Sequence, residues 1–223
     1  MIYKNWEQIY KKILKDFNLK ESEDKKSAEL LETLISNKSI FPLKNLSQLI
    51  KDKQVFVFGA GSSLENSIIK NKKNFNPFIK ISADGATSAL IKHAIIPDII
   101  VTDLDGNVKD QIKSNNQGSI IIIHAHSDNK DKITKYLPKI KGKIIGTTQT
   151  DPSKFKNLHN FGGFTDGDRA VFIANHFKAK KINLIGFDFN GKIGKYSFSE
   201  NKNKELKLKK LKWCKKLTKM ILD

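Results

Sequence analysis

The sequence predicts an α/β protein of three layers, built on a doubly wound, mostly parallel sheet of about six strands. Three observations carry this. Short runs rich in Val, Ile and Phe recur from residue 54 onward, and segments long enough for crossover helices separate them. The runs are also continuously apolar rather than alternating, as strands covered on both faces require. A length of 223 residues with 39% hydrophobic and 29% charged positions suits one such domain with small appendages. No stretch approaches the roughly 20 consecutive apolar residues of a membrane helix, which argues against an integral membrane protein.

Residues 1–54 read as a helical appendage. Ile2, Trp6, Ile9, Tyr10, Ile13, Leu14 and Phe17 recur at three- and four-residue spacing, the mark of an amphipathic helix. A second helix runs from about Ser22 through Ala28, Leu30, Leu31, Leu34 and Ile35, and Phe41-Pro42 with Asn45-Leu46-Ser47 forms a connector. The strands of a catalytic-sized domain, 55–200, follow as QVFVF (54–58), FIKIS (78–82), DIIVT (98–102), SIIII (119–123), KIIG (143–146) and KINLIG (181–186). Segments 63–73, 86–94, 107–115, 129–137 and 167–178 have the length and composition of the crossovers. The tail, 201–223, is a basic amphipathic helix carrying Leu206, Trp213, Leu217, Met220 and Ile221.

The net charge is +18, from 41 Lys+Arg against 23 Asp+Glu, which raises the question of a nucleic-acid partner. The excess is net +8 within 191–223 and almost wholly lysine, with Arg169 the single arginine. Nucleic-acid readers lean on the bidentate guanidinium, so this pattern fits a compositional bias better than a binding device. The single cysteine, Cys214, can form neither an internal disulfide nor a thiolate cluster. The opening residues lack the apolar core of a secretory signal, and the expected location is cytoplasmic.

In an open parallel sheet, ligands bind beyond the carboxyl ends of the strands. After the first run stands Gly59-Ala60-Gly61-Ser62-Ser63, whose glycines and helix start suit either an anion or a tight turn. After the second and third stand Asp84-Gly85 and Asp103-Leu104-Asp105-Gly106. Carboxylates at adjacent strand ends can hold a hard cation, and magnesium needs only one or two plus phosphates and water; helix capping by Asp-Gly turns is the plainer reading. The fourth run ends in His124-Ala125-His126-Ser127-Asp128-Asn129, which suits polar or phosphate contacts more than zinc, since no third His or Cys lies nearby. Thr165-Asp166-Gly167-Asp168-Arg169 opens the last crossover after a long loop, and a planar guanidinium there suits phosphate oxygens. Among the twelve acids of 55–190 only Glu65 is a glutamate, and most of the aspartates fall at strand ends or turns. A basic chain that gathers aspartates along one edge is built to bind cations there, with phosphates bridging to them.

VFGAGSSL, ADGA, PDIIVTDLDG, HAHSDN, GGFTDGDRAVFIA, LIGFDF and GKYS, in this order, resemble the archaeal-type 6-hydroxymethyl-7,8-dihydropterin pyrophosphokinases, the MptE-like family. The ADGA and PDIIVTDLDG segments are also similar to those of thiamine pyrophosphokinases. The resemblance, covering about 55–200, implies a Rossmann-like fold and magnesium-dependent transfer of diphosphate from ATP to the pterin alcohol, with AMP released. It implies magnesium on Asp103 and Asp105, with Asp84, Asp128 and Asp168 as further ligands or water-mediated partners. Asp103, Asp105, Asp168 and Arg169 become the catalytic candidates. Gly59, Gly61, Ser62, Asp84, His126, Thr165, Asp166 and Lys195 become ATP or phosphate contacts. Asp128, Asn129, Phe164, Phe187 and Asp188 are the pterin candidates, with Phe161 and Phe189 as further aromatic choices. A thiamine pyrophosphokinase, a glycosyltransferase-like relative and a nucleic-acid-binding module are the competing readings. Neither a membrane nor a specific nucleic acid is expected as partner, and self-association is left open.

Overall fold

The computed structural model describes residues 3–190, 194–197 and 204–223. Seven parallel strands form one sheet: β1 (Gln54–Phe58), β2 (Ile79–Ala83), β3 (Ile99–Thr102), β4 (Ile120–Ala125), β5 (Ile144–Thr148), β6 (Leu158–His159) and β7 (Lys181–Ile185), in the order β6-β5-β4-β3-β2-β1-β7. The seventh strand beyond the expected six is β6, whose two residues are too few to show any period.

The pleat sorts the apolar runs onto two faces. Val55, Val57, Ile81, Ile99, Val101, Ile120, Ile122 and Ile145 share one core with Ala170, Val171, Ile173 and Ala174 of α8 (Asp166–His176) and with Leu46 and Ile50 of a short helix, Leu43–Ile50. That helix replaces the expected connector: burial of Leu46 and Ile50 outweighs the turn-forming character of Asn45 and Ser47. On the other face lie α4 (Leu64–Phe75), α5 (Ala86–Lys92), α6 (Val108–Asn116) and α7 (Lys130–Tyr136), with α2 (Glu21–Ile35); the Leu43–Ile50 helix is α3 in chain order. Each fully buried Ile, Val or Leu contributes about 1.5–3 kcal/mol relative to exposure, so both faces of the sheet are strongly held.

Chain direction places the site. From β1 to β6 the chain steps steadily outward; α8 then carries it back across the opposite face to β7, beside β1. Right-handed crossovers moving in opposite directions put their helices on opposite faces, and the carboxyl ends of β1 and β7 open a crevice where the direction reverses. Segment 1–54 is expected as a helical appendage; Ile2 of its pattern lies outside the described residues, and among those described the segment is mostly helical, with α2 and α3 built into the two faces of the sheet. Its first helix, α1 (Trp6–Phe17), packs with α9 (Lys204–Leu222) over α8, where Trp6, Tyr10, Ile13, Phe172 and Leu217 form a separate core. The tail positions 201–203 lie outside the described residues.

Candidate active site

A cavity of about 370 Å³ opens at the carboxyl edge of the sheet. The loops after β1 and β7 meet there backbone to backbone: the Gly61 amide donates to the Gly186 carbonyl at 2.9 Å, and a Cβ on Gly61 would lie 2.5 Å from that oxygen. Only glycine permits this approach. The Gly59 amide donates to the Ile185 carbonyl. The start of α4 is also engaged. Asp188 accepts from the Ser63 amide and Ser63 Oγ, both at 2.7 Å, and from Ser62 Oγ at 3.0 Å. Burial works against its charge, but the hydrogen bonds from Ser63 and Ser62 prevail and hold its pKa below the usual carboxylate value. Thus, of the expected phosphate donors, Gly59 and Gly61 line the cavity and Ser62 does not, and the two glycine amides and the Ser62 hydroxyl are bonded within the protein.

The floor is carboxylate. One oxygen each of Asp84, Asp103 and Asp166 lie within 4.8 Å of one another. Asp84 takes a left-handed backbone, φ +41°, at the end of β2, and its Oδ1 accepts from Thr102 Oγ1, the Gly106 amide and Gln111 Nε2 at 2.8–3.1 Å. Gly106 leaves room for it, since a Cβ there would sit 2.4 Å from Asp84 Oδ2. Asp103, just after β3, bonds His126 Nε2 at 3.0 Å and accepts the Asp105 amide. Asp166 arrives from the first turn of α8.

Crowding and burial set the protonation of this group. Burial first, then the charges of Asp103 and Asp105, push the Asp84 pKa up to about 7. Burial, with Asp103 and Asp84 nearby, also lifts Asp166 well above the ordinary range. Burial opposes ionisation of Asp103 too, but the hydrogen bond and charge of His126 prevail and hold it well below that range. Three oxygen donors that repel one another in a half-buried floor fit a hard divalent cation, which relieves the repulsion.

The remaining candidates divide. Asp105, Asp128, His126, Thr165, Phe164 and Phe187 line the cavity. Asp105 also lies 3.8 Å from Lys132 Nζ, and Asp128 is exposed at the rim. Asn129 is fully buried and does not line this cavity: it accepts from Ser27 Oγ and the His126 amide, and donates to the carbonyls of Asp103 and His124. It secures the loops carrying Asp103 and His126. Asp168 lies behind the floor, capping α8 in a reciprocal box with Thr165 and accepting the Phe164 amide. Arg169 is 3% exposed and donates to the carbonyls of Gly163 at 2.9 Å and Phe164 at 3.0 Å. Lys195 pairs with Glu65, outside the cavity. Phe161 packs in the sheet core with Phe177 and His176.

Sequence reasoning missed two walls. Phe17 and the following Leu19 close one side, and Leu206, Lys207, Lys210, Leu211 and Cys214 of α9 close another. The spacing of the last four, i, i+3, i+4 and i+7, is one helical face and was legible. What that face covers was not.

Fold and cavity together define an α/β protein with carboxylates and aromatic side chains gathered around one crevice at the carboxyl edge of its sheet. Residues 28–194 match the family described as 6-hydroxymethylpterin diphosphokinase MptE-like, and the chain belongs to that family. It is 43% identical to the 6-hydroxymethyl-7,8-dihydropterin pyrophosphokinase of Methanocaldococcus jannaschii, over 100% of this chain and 97% of that one. It is 39% identical to the protein of the same name from Pyrococcus furiosus, over 97% and 93%, and 42% identical to that of Methanothermobacter thermautotrophicus, over 86% and 81%. Among solved structures, the MAf glycosyltransferase of Magnetospirillum magneticum AMB-1 is similar in fold, with a TM-score of 0.50 at 14% identity, over 74% of this chain and 27% of that one. No described helix is long and apolar enough to cross a membrane.

Proposed function

We propose that this protein transfers the β,γ-diphosphate of ATP to the hydroxymethyl group of 6-hydroxymethyl-7,8-dihydropterin. The hydroxyl oxygen attacks the β-phosphorus, the bond from that phosphorus to the α–β bridging oxygen breaks, AMP leaves with that oxygen, and the hydroxyl proton is released. The observation that carries the reading is the triad Asp84, Asp103 and Asp166 at the floor of an aromatic-walled cavity, in a chain whose relatives carry that enzyme's name.

Asp84, Asp103 and Asp166 would hold Mg2+, which when bound neutralises charge developing on the transferring phosphates. This reading adds Asp166 to the expected set, which has magnesium on Asp103 and Asp105 with Asp84, Asp128 and Asp168 as further ligands or water-mediated partners. His126 keeps Asp103 ionised and oriented toward the cavity. Phe164, Phe187, Phe189 and Phe17 supply flat apolar surface for the pterin ring. Asn129, Asp168 and Arg169 act as supports: each makes hydrogen bonds to the backbone that shapes the site. Holding nucleophile and phosphate together is the main demand of such a transfer, and the cavity is formed by elements from both ends of the chain.

The test is AMP release from ATP and Mg2+ with the reduced pterin alcohol, with thiamine as the competing acceptor. Turnover confined to the pterin supports the reading; ATP binding without AMP release in its presence overturns it.

A further inference from the structure

The cavity contains six aspartates, Asp84, Asp103, Asp105, Asp128, Asp166 and Asp188, so a polyphosphate entering it needs cations from the protein as well as from the floor. The expected positive groups are engaged elsewhere: the N-terminus of α4 is already taken by Asp188, Arg169 is tied to the carbonyls of Gly163 and Phe164, and Lys195 is paired with Glu65. Among the described residues, the lysines that line the cavity are Lys207 and Lys210, both from α9 and on its inward face. Their roles differ. Lys207 Nζ donates to the Ser197 carbonyl at 2.8 Å and Ser197 Oγ at 2.7 Å, fastening α9 to the turn after β7. Farther along, Trp213 Nε1 donates to Asp16 at 2.6 Å and Leu217 is buried against α1 and α8. The helix is thus pinned on both sides of Lys210, which places that half-buried residue at the wall before substrate arrives.

We infer that Lys210 is a phosphate-binding residue of this enzyme, delivered by the C-terminal helix from outside the span that matches the family, 28–194. It binds the polyphosphate of ATP from the wall while the aspartate floor binds it through the cation. The inference rests on the reading of the cavity as an ATP site. Lysine serves such a role as a mobile point charge, and α9 with α1 completes a site that the matched span alone leaves open on one side.

The experiment uses full-length protein and two readouts: calorimetric titration with Mg·ATP without pterin, and steady-state AMP release. Lys210→Met is expected to weaken Mg·ATP binding and raise KM for ATP roughly tenfold, leaving KM for the pterin within twofold, and Lys210→Arg to recover most of the loss. Lys215→Met, on the exposed face of α9, is the control that matches wild type. Equal ATP affinity in Lys210→Met and wild type, or a rise confined to the pterin KM, overturns the inference. Wild-type protein that binds Mg·ATP but releases no AMP with the pterin overturns the functional reading instead, and the titration still decides Lys210.

Discussion

Asp166 and Asp168 lie two residues apart in the first turn of α8, and their surroundings are opposite. Asp168 is buried behind the cavity floor and accepts from the Phe164 amide, the Thr165 amide and Thr165 Oγ1. Asp166 faces the cavity, with oxygens of Asp84 and Asp103 within 4.8 Å. Burial raises the pKa of both, but for Asp168 hydrogen bonds oppose the shift, whereas for Asp166 the like charges of Asp103 and Asp84 add to it. A buried carboxylate surrounded by donors stabilises the fold; one surrounded by other carboxylates costs stability and is retained for what it binds. Asp24 repeats the first pattern: fully buried, it accepts from Tyr10 Oη at 2.5 Å, Gln149 Nε2 and the Ser127 amide, tying α1, α2 and the loop after β4 together.

The comparison is broken most directly at the floor. Asp103→Asn is expected to lower the rate of AMP release by about a thousandfold or more with little change in thermal stability; a variant within tenfold of wild type would remove Asp103 from the chemistry. The mirror experiment is Asp168→Ala. Three orphaned donors and a lost cap predict destabilisation of about 3 kcal/mol, read as a melting temperature lower by roughly 6–12 °C, and an unchanged melting point would contradict the capping role.

A subtler comparison uses pH. The Asp84 pKa is raised in the folded protein to about 7, so without a cation its contribution to stability is full below the unfolded carboxylate pKa and is lost as pH rises through 7. Mg2+ binds the ionised form. The rise in melting temperature caused by Mg2+ should therefore be larger at pH 8 than at pH 5.5, and Asp84→Asn should flatten that dependence. A shift independent of pH in wild type would count against cation binding at the floor.

The smallest effect is expected at Arg169. Its guanidinium spans two carbonyls, and Arg169→Lys keeps the charge but loses the fork. Destabilisation of about 1–2 kcal/mol with KM for ATP within twofold of wild type is expected. A large loss of ATP affinity with no change in stability would return Arg169 to the phosphates.

Much of this was legible in one dimension. Continuous runs such as IIII at 120–123 mark strands covered on both faces, and aspartates placed just after such runs fall at the edge where ligands bind. Asp84 and Asp103 could be selected for that reason. Asp166 could not be told from Asp168, because both sit at a helix start where capping explains either; only the packing of α8 across β1 to β3 turns one into the cavity and the other away. Asn129 looked like a ligand contact because it follows a strand, and it is a fully satisfied buried amide.

The sequence by itself determined six of the seven strands, their crossovers and the edge on which acidic groups collect, because side-chain period and turn chemistry are local properties. Tertiary structure alone decided which carboxylates share a floor, that Asp188 occupies the start of α4, and that α1 and α9 wall the cavity. Each of those depends on where elements distant in the chain come to rest, and that is set by burial against α8 and the sheet, which no local pattern records.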